Sequence, residues 1–344
     1  MTRVLLTGAS GYIGKHITLQ LLNQGYIVRA SVRNLNKSAE VKNAVSPHLL
    51  DRSNLDSRLT FIELDLENDA GWDSALRDVD VLMHTASPFP IASPRDENEL
   101  IRPAVDGTLR ALRAAKATGV NRVILTSSNA AVYGCDLPAN RTEYDETIWT
   151  DVNHPIGRVA YTKSKTLAER AAWDFVKNEA PGIALTTINP VLVLGAPLDD
   201  NFGSSISVIE RILKGKDPML PNLRFPIVDV KDVAKMHVDA IKTESTKGER
   251  ILAASETYSF VEIAKYLKSL YPNSKVKTAQ APTFLIKFLA YFDDEIKAVL
   301  PLLGKPMLTS AEKAKRLFGI KFIPVNISVR DTADYLIQNG FTKG

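Results

Sequence analysis

A single cysteine, Cys135, stands in 344 residues, so the chain cannot close an internal disulfide. That excludes a cystine-stapled secreted scaffold and fits a reducing compartment. Long apolar runs are missing as well. The charge-free stretch Ile183 to Leu198 is broken by Pro190, Gly195 and Pro197 and is too short to cross a bilayer. Before the first glycine stand only Val4-Leu5-Leu6, far short of the apolar core of an export signal. The expectation is a soluble, cytoplasmic protein. Nor is there a long basic run: 43 Lys and Arg against 39 Asp and Glu, interspersed, leave a formal charge of +4. Nucleic acid and anionic membrane are therefore not expected partners, although a local basic site for a phosphate remains open. Internal repeats and low-complexity linkers are absent too, so the parts of the chain are expected to pack as one unit.

The first half alternates short apolar runs with longer amphipathic ones, as repeating β–α units do. Strands are expected at Val4–Thr7, Ile27–Val32, Leu59–Leu64, Val79–Thr85, Val123–Ser127 and Leu185–Asn189. Several are almost continuously apolar, which suits parallel strands covered on both faces. Lys15–Asn23 reads as a helix stopped by Gly25, and Pro103 is expected in the first turn of a long helix ending near Ala117. Past Pro190 the pattern turns irregular, with an apolar run at Ile227–Val230 and helical stretches at Phe260–Leu270 and Ala311–Phe318. The expected architecture is α/β: a Rossmann-type doubly wound parallel sheet in residues 1–190, completed by about 226–255. A smaller, mixed substrate-binding portion is expected in 191–225 and 256–344.

Thr7-Gly8-Ala9-Ser10-Gly11-Tyr12-Ile13-Gly14 follows the first strand and opens the first helix. Glycine lets a backbone turn tightly and approach a pyrophosphate, and the helix N-terminus supplies free N–H groups and partial positive charge. The spacing is Gly-x-x-Gly-x-x-Gly rather than Gly-x-Gly-x-x-Gly. At the end of the second strand, where an NAD site carries an acidic residue on the ribose 2′-hydroxyl, the chain reads Arg29-Ala30-Ser31-Val32-Arg33-Asn34, with Lys37 beyond. Arg33 can fork onto a 2′-phosphate and Lys37 can add a point charge, which points to NADPH/NADP⁺. Arg29 faces the other way and reads as a solvated surface cation. Asp65, with Leu66 beside it, is placed for the adenine amino group. Thr85-Ala86-Ser87 puts small residues where a dinucleotide crosses the sheet edge. His84, ending an apolar strand with no partner at a metal-ligand spacing, reads as structural, and no metal site is expected.

Tyr161 and Lys165, four residues apart, share a helix face. An ammonium one turn away, with an oxidised nicotinamide, can stabilise a phenolate and bring the phenol toward working pH, and the same ammonium can hold ribose hydroxyls. Ser128, at the end of the fifth strand, can donate to a carbonyl oxygen as negative charge grows there. Its neighbour Ser127 is the competing candidate, because adjacent strand residues face opposite ways. Glycine loop, serine pair and Tyr-x-x-x-Lys in this order point to hydride transfer at a carbonyl or alcohol.

With these motifs the chain resembles the extended short-chain dehydrogenase/reductases, in particular the dihydroflavonol reductase-like branch with cinnamoyl-CoA reductases and yeast-type methylglyoxal/ketone reductases. The matching stretches are Thr7–Gly14, Val28–Arg33, His84–Phe89, Pro103–Thr108, Leu125–Val132, Tyr161–Trp173, Asn189–Gly195 and Asp229–Ala234. The resemblance implies an NADPH-dependent aldehyde or ketone reductase with Ser128, Tyr161 and Lys165 catalytic. It implies cofactor contacts from the glycine loop, Arg33, Lys37, Asp65 and Leu66, places Thr126 among them, and sets backbone from Pro190 to Val193 against the nicotinamide. Plant flavonoid reductases carry an asparagine five positions after the catalytic serine. Tyr133 stands there in this chain, which argues against a dihydroflavonol substrate. The substrate side is expected to draw on Phe89, Ser128, Ala131, Tyr133 and segment 195–225, suiting a moderately apolar aldehyde or ketone. Two other readings share parts of this pattern. A nucleotide-sugar epimerase or dehydratase would retain NAD and carry an acidic residue where Arg33 stands. A non-catalytic NADP(H) sensor commonly loses the Tyr–Lys pair, which is intact here. A monomer or a homodimer is equally compatible.

Overall fold

A computed structural model describes residues 1–87, 96–292, 300–305 and 307–342. The first half runs β1 (Arg3–Thr7), α1 (Tyr12–Asn23), β2 (Ile27–Val32), α2 (Ser38–Val45), α3 (Leu55–Arg58), β3 (Leu59–Glu63), α4 (Trp72–Leu76) and β4 (Val81–His84). It continues with α5 (Asn98–Thr118), β5 (Arg122–Thr126), α6 (Ala160–Asn178) and β6 (Ala184–Pro190). Then follow β7 (Leu192–Leu194), α7 (Ser204–Leu213), β8 (Arg224–Asp229), α8 (Val230–Asp239), β9 (Glu249–Ala253), β10 (Glu256–Ser259) and α9 (Phe260–Leu270).

Seven strands form one sheet in the order β3-β2-β1-β4-β5-β6-β9, every neighbouring pair parallel. Period-2 alternation explains why these strands are apolar throughout. Val4 and Leu6 of β1, Met83 of β4 and Ile124 of β5 join the core under α1 and α8. Leu5, Leu82, Val123 and Leu125, the intervening residues, join the core under α4, α5 and α6. The order in which strands are added to the sheet reverses between β1 and β4, and ligands of doubly wound sheets bind at the strands' carboxyl ends at such a switch point. Both expected motifs lie at that edge.

The segment after β6 divides its loyalties. β9 returns to the large sheet beside β6, whereas Ile227–Val230 does not. Residues Ile227 to Asp229 belong to β8, which pairs parallel with β7 and antiparallel with β10 in a separate mixed sheet of three strands. Leu194, Ile206, Ile209, Ile263, Leu267 and Val329 form the core of this second portion. Its helix α9 opens on a capping box: Ser259 Oγ accepts from the Glu262 N–H at 3.1 Å, and the Glu262 carboxylate accepts from the Ser259 N–H at 2.7 Å. Among the described residues no helix is long and apolar enough to cross a membrane.

Two local expectations are corrected. Pro103 lies inside α5, which starts at Asn98. The turn is set earlier, by Asp96 accepting from the Asn98 N–H at 3.0 Å. Arg29 is no solvated cation: its guanidinium donates to the carbonyls of Ala75 at 2.7 Å and Arg77 at 2.8 Å, satisfying the carboxyl end of α4.

Candidate active site

Two cavities lie along the carboxyl edge. The larger, about 390 Å³, sits over the β1–β4 switch point and is lined by Thr7, Gly8, Ser10, Gly11, Arg33, Asp65, Leu66, Thr85, Ala86 and Ser87. The glycine loop has the form a pyrophosphate needs. Gly8 has φ +72°, and a Cβ there would lie 2.8 Å from the Ala86 nitrogen. A Cβ on Gly14 would meet the Gly8 carbonyl oxygen at 2.2 Å, so this glycine lets α1 start tight against the loop. Gly11, the N-cap of α1, brings no side-chain cap, which leaves the first N–H groups of the helix facing the cleft. Ala9, Ile13 and Gly14 line neither of these two cavities, and the Tyr12 hydroxyl donates to the Gly195 carbonyl at 2.7 Å, tying the loop to the second portion.

Thr7 is the hub of the loop. Its hydroxyl accepts from the N–H groups of Thr85 at 3.1 Å and Ala86 at 3.2 Å and donates to Nδ1 of His84 at 2.9 Å. Burial pushes His84 down to about 4, which keeps it neutral near pH 7. Arg33 is exposed at the rim, and among the described residues no carboxylate pairs with it. Lys37 stands outside the cavity wall and pairs with Glu40 at 2.7 Å. Asp65 takes the Glu67 N–H on Oδ1 at 3.0 Å, leaving its second oxygen toward the cleft. These features fit a dinucleotide with a 2′-phosphate. The sequence reading missed Ser31, Val32, Leu64, Glu67, Trp72, Glu99 and Pro103 in this wall. Ser31, Val32 and Pro103 carried a signal, through their places in matching stretches.

Ser128, Tyr161 and Lys165 converge. The Tyr161 hydroxyl lies 3.4 Å from Ser128 Oγ, and Lys165 Nζ lies over the Tyr161 ring, 5.8 Å from its centroid. Ser128 Oγ also accepts from the Ala130 N–H at 3.1 Å, which fixes its rotamer. Ser127 is engaged elsewhere, donating to the buried Glu169 carboxylate at 2.6 Å. Burial pushes the Tyr161 phenol up to about 12, partly offset by the Ser128 hydroxyl, and pushes the Lys165 ammonium down to about 8. The expected downward shift belongs to the state with an oxidised nicotinamide beside the phenol; in the chain by itself burial holds Tyr161 protonated. The Thr126 hydroxyl is committed to His237 Nε2 at 2.7 Å, because His237 Nδ1 donates to the Val233 carbonyl at 2.8 Å. Only the backbone of Thr126 remains for a cofactor.

The second cavity, about 180 Å³, is bounded by Ser128, Tyr133 and Tyr161 on one side and by Pro190, Val191, Leu192, Ser204, Ser205, Phe225, Pro226 and Met307 on the other. Tyr133 lines it while also packing against Ile148 and Leu252 and against Leu223 and Met307. Ala131 is fully buried and lines nothing, and Val193 is buried in β7. Phe89 lies outside the described residues. Phe225, from β8, falls within the expected segment 195–225, whereas Met307 arrives from the segment after α9 and no local motif announces it. Ser204 and Ser205 fall in the expected segment 195–225.

Residues 4–254 match the NAD dependent epimerase/dehydratase family model, and the chain belongs to that family. It is 34% identical to cinnamoyl-CoA reductase CAD2 of Medicago truncatula over 98% of this chain and 96% of that protein. It is 30% identical to a putative NADPH-dependent methylglyoxal reductase, GRP2, of Candida albicans over 98% of each chain. Among solved structures it resembles yeast methylglyoxal/isovaleraldehyde reductase Gre2 complexed with NADPH, with TM-score 0.80, 25% identity, and 99% of this chain and 100% of that one covered.

Proposed function

We propose that this chain is an NADPH-dependent carbonyl reductase acting on small aldehydes or ketones. The observation that carries the reading is the meeting of Tyr161 and Ser128, 3.4 Å apart on the wall of the smaller cavity, with Lys165 one turn along the same helix. NADPH, held in the larger cleft by the glycine loop, Arg33, Asp65 and Leu66, supplies the hydride. Ser128 donates to the substrate's carbonyl oxygen and so favours the negative charge that develops there. Tyr161 gives that oxygen its proton, and its raised pKa keeps it in the acid form this direction needs. Lys165 stabilises the phenolate left behind and offers hydrogen bonds to the nicotinamide ribose. The smaller cavity measures about 180 Å³. That favours short aldehydes of the kind in the yeast relative's name over a coenzyme A thioester.

The test is to mix the enzyme with NADPH and a panel of aldehydes and ketones, methylglyoxal and isovaleraldehyde included, and follow absorbance at the reduced-nicotinamide band. Turnover with small carbonyls and a strong preference for NADPH are expected. No NADPH consumption with any carbonyl, together with tightly held NAD released on denaturation, would replace this reading with the epimerase/dehydratase one.

A further inference from the structure

Glu169 lies two turns beyond Tyr161 on α6, is 1% exposed and lines neither cavity. Its carboxylate accepts from Ser127 Oγ, from Asn189 Nδ2 and from Arg250 Nε, each at 2.6 Å. Thr187 Oγ1 lies 3.1 Å from the same carboxylate and 3.0 Å from Asn189 Oδ1. The second N–H of Asn189 donates to the carbonyl oxygen of Ser128 at 3.1 Å. A flipped Asn189 amide would set an oxygen against two acceptors, so the network dictates its orientation.

An apolar residue at 169 would hold α6 on the sheet at smaller cost, because a buried ion pair seldom outdoes good apolar packing. What the polar cluster adds is direction. It occupies the hydroxyl of Ser127 and grips the peptide of Ser128, whose own hydroxyl is left beside Tyr161.

We propose that Asn189, aligned by Glu169 and Thr187, is a positioning residue for Ser128. It holds the Ser128 peptide so that the Ser128 hydroxyl meets the substrate's carbonyl oxygen, and it touches neither substrate nor cofactor itself. The proposal rests on the reading of Ser128 as the group that polarises the carbonyl.

A double-mutant cycle tests it, with Asn189→Ala, Ser128→Ala and the pair assayed on the aldehyde that the wild type reduces fastest. NADPH affinity is measured by protein fluorescence and folding by Tm. Asn189→Ala should lower kcat about ten- to a hundredfold, as for a slightly misplaced group, with NADPH Kd within about twofold of wild type. In the Ser128→Ala background it should cost almost nothing more. An equal loss in both backgrounds, or a parallel loss of NADPH affinity, makes Asn189 merely structural and overturns the proposal. Full turnover by Ser128→Ala removes the underlying reading instead, and the proposal with it. Thr187→Val, nearly isosteric, runs in the same cycle and decides the matter if Asn189→Ala does not fold; a smaller loss, again confined to enzymes that keep Ser128, is expected.

Discussion

Arg33 and Lys37 were expected to share the recognition of a 2′-phosphate, and the structure makes them unequal. Arg33 stands at the rim of the larger cleft with no carboxylate partner among the described residues. Lys37 is 57% exposed and paired with Glu40, and Glu40 is held in place by Lys15 at 3.2 Å and Asn201 at 3.0 Å. Glu40 therefore stays beside Lys37 and offsets its charge, and the pair is solvent-screened. A charge-assisted bond from Arg33 to a phosphate contributes about 1.5–3 kcal/mol, or roughly ten- to 150-fold in affinity. Arg33→Ala should accordingly lower kcat/KM for NADPH about ten- to a hundredfold while leaving that for NADH within about twofold. Lys37→Ala should cost about threefold or less. The assay is initial velocity against NADPH and NADH at one saturating aldehyde concentration and low ionic strength. Equal losses in the two variants would refute the argument from Glu40. Equal use of both nucleotides by the wild type would refute the role of Arg33 itself.

Three further outcomes follow from the same geometry. Lys165, lowered to about 8 by burial, loses its charge as pH rises; kcat/KM for NADPH should fall above that pH, and a flat profile to pH 10 would count against an ammonium that holds the ribose. Tyr133 both lines the smaller cavity and packs against two apolar clusters. Tyr133→Ala should therefore cost roughly 1–3 kcal/mol, less than a fully buried aromatic, and change the ranking of small against aryl ketones; an unchanged ranking would end its pocket role. His84 and His237 are buried neutral, each lowered to about 4 from an ordinary 6.5. Their contribution to stability is complete above the unfolded value and declines as pH falls toward the folded one. Tm should drop between pH 7 and 4.5, more gently in His237→Gln, and an identical slope in that variant would remove His237 from the account.

What could be read from the chain is what local chemistry imposes. Gly8 and Gly14 announce themselves because a Cβ at either would strike backbone, and Tyr161 and Lys165 because helix spacing puts them on one face. The central strands are legible because β1, β4 and β5 are buried on both faces. What escaped depends on distant partners. Arg29 meets its carbonyls only when α4 is in place, and Lys37 loses its freedom to a glutamate one turn away. Met307 reaches the cavity because the chain returns to it late. The serine pair illustrates the boundary: alternation says that Ser127 and Ser128 differ, but only the buried Glu169 marks which hydroxyl is already taken.

The central claim is that the Tyr161 hydroxyl delivers the proton in carbonyl reduction, and Tyr161→Phe tests it most directly because the ring is kept and one oxygen removed. With NADPH binding followed by fluorescence and reduction by single-turnover absorbance, the variant should bind NADPH with nearly wild-type affinity. Its reduction rate should fall about a hundredfold or more, the range for a lost general acid. Reduction at close to the wild-type rate by this variant, with NADPH bound, would contradict the account.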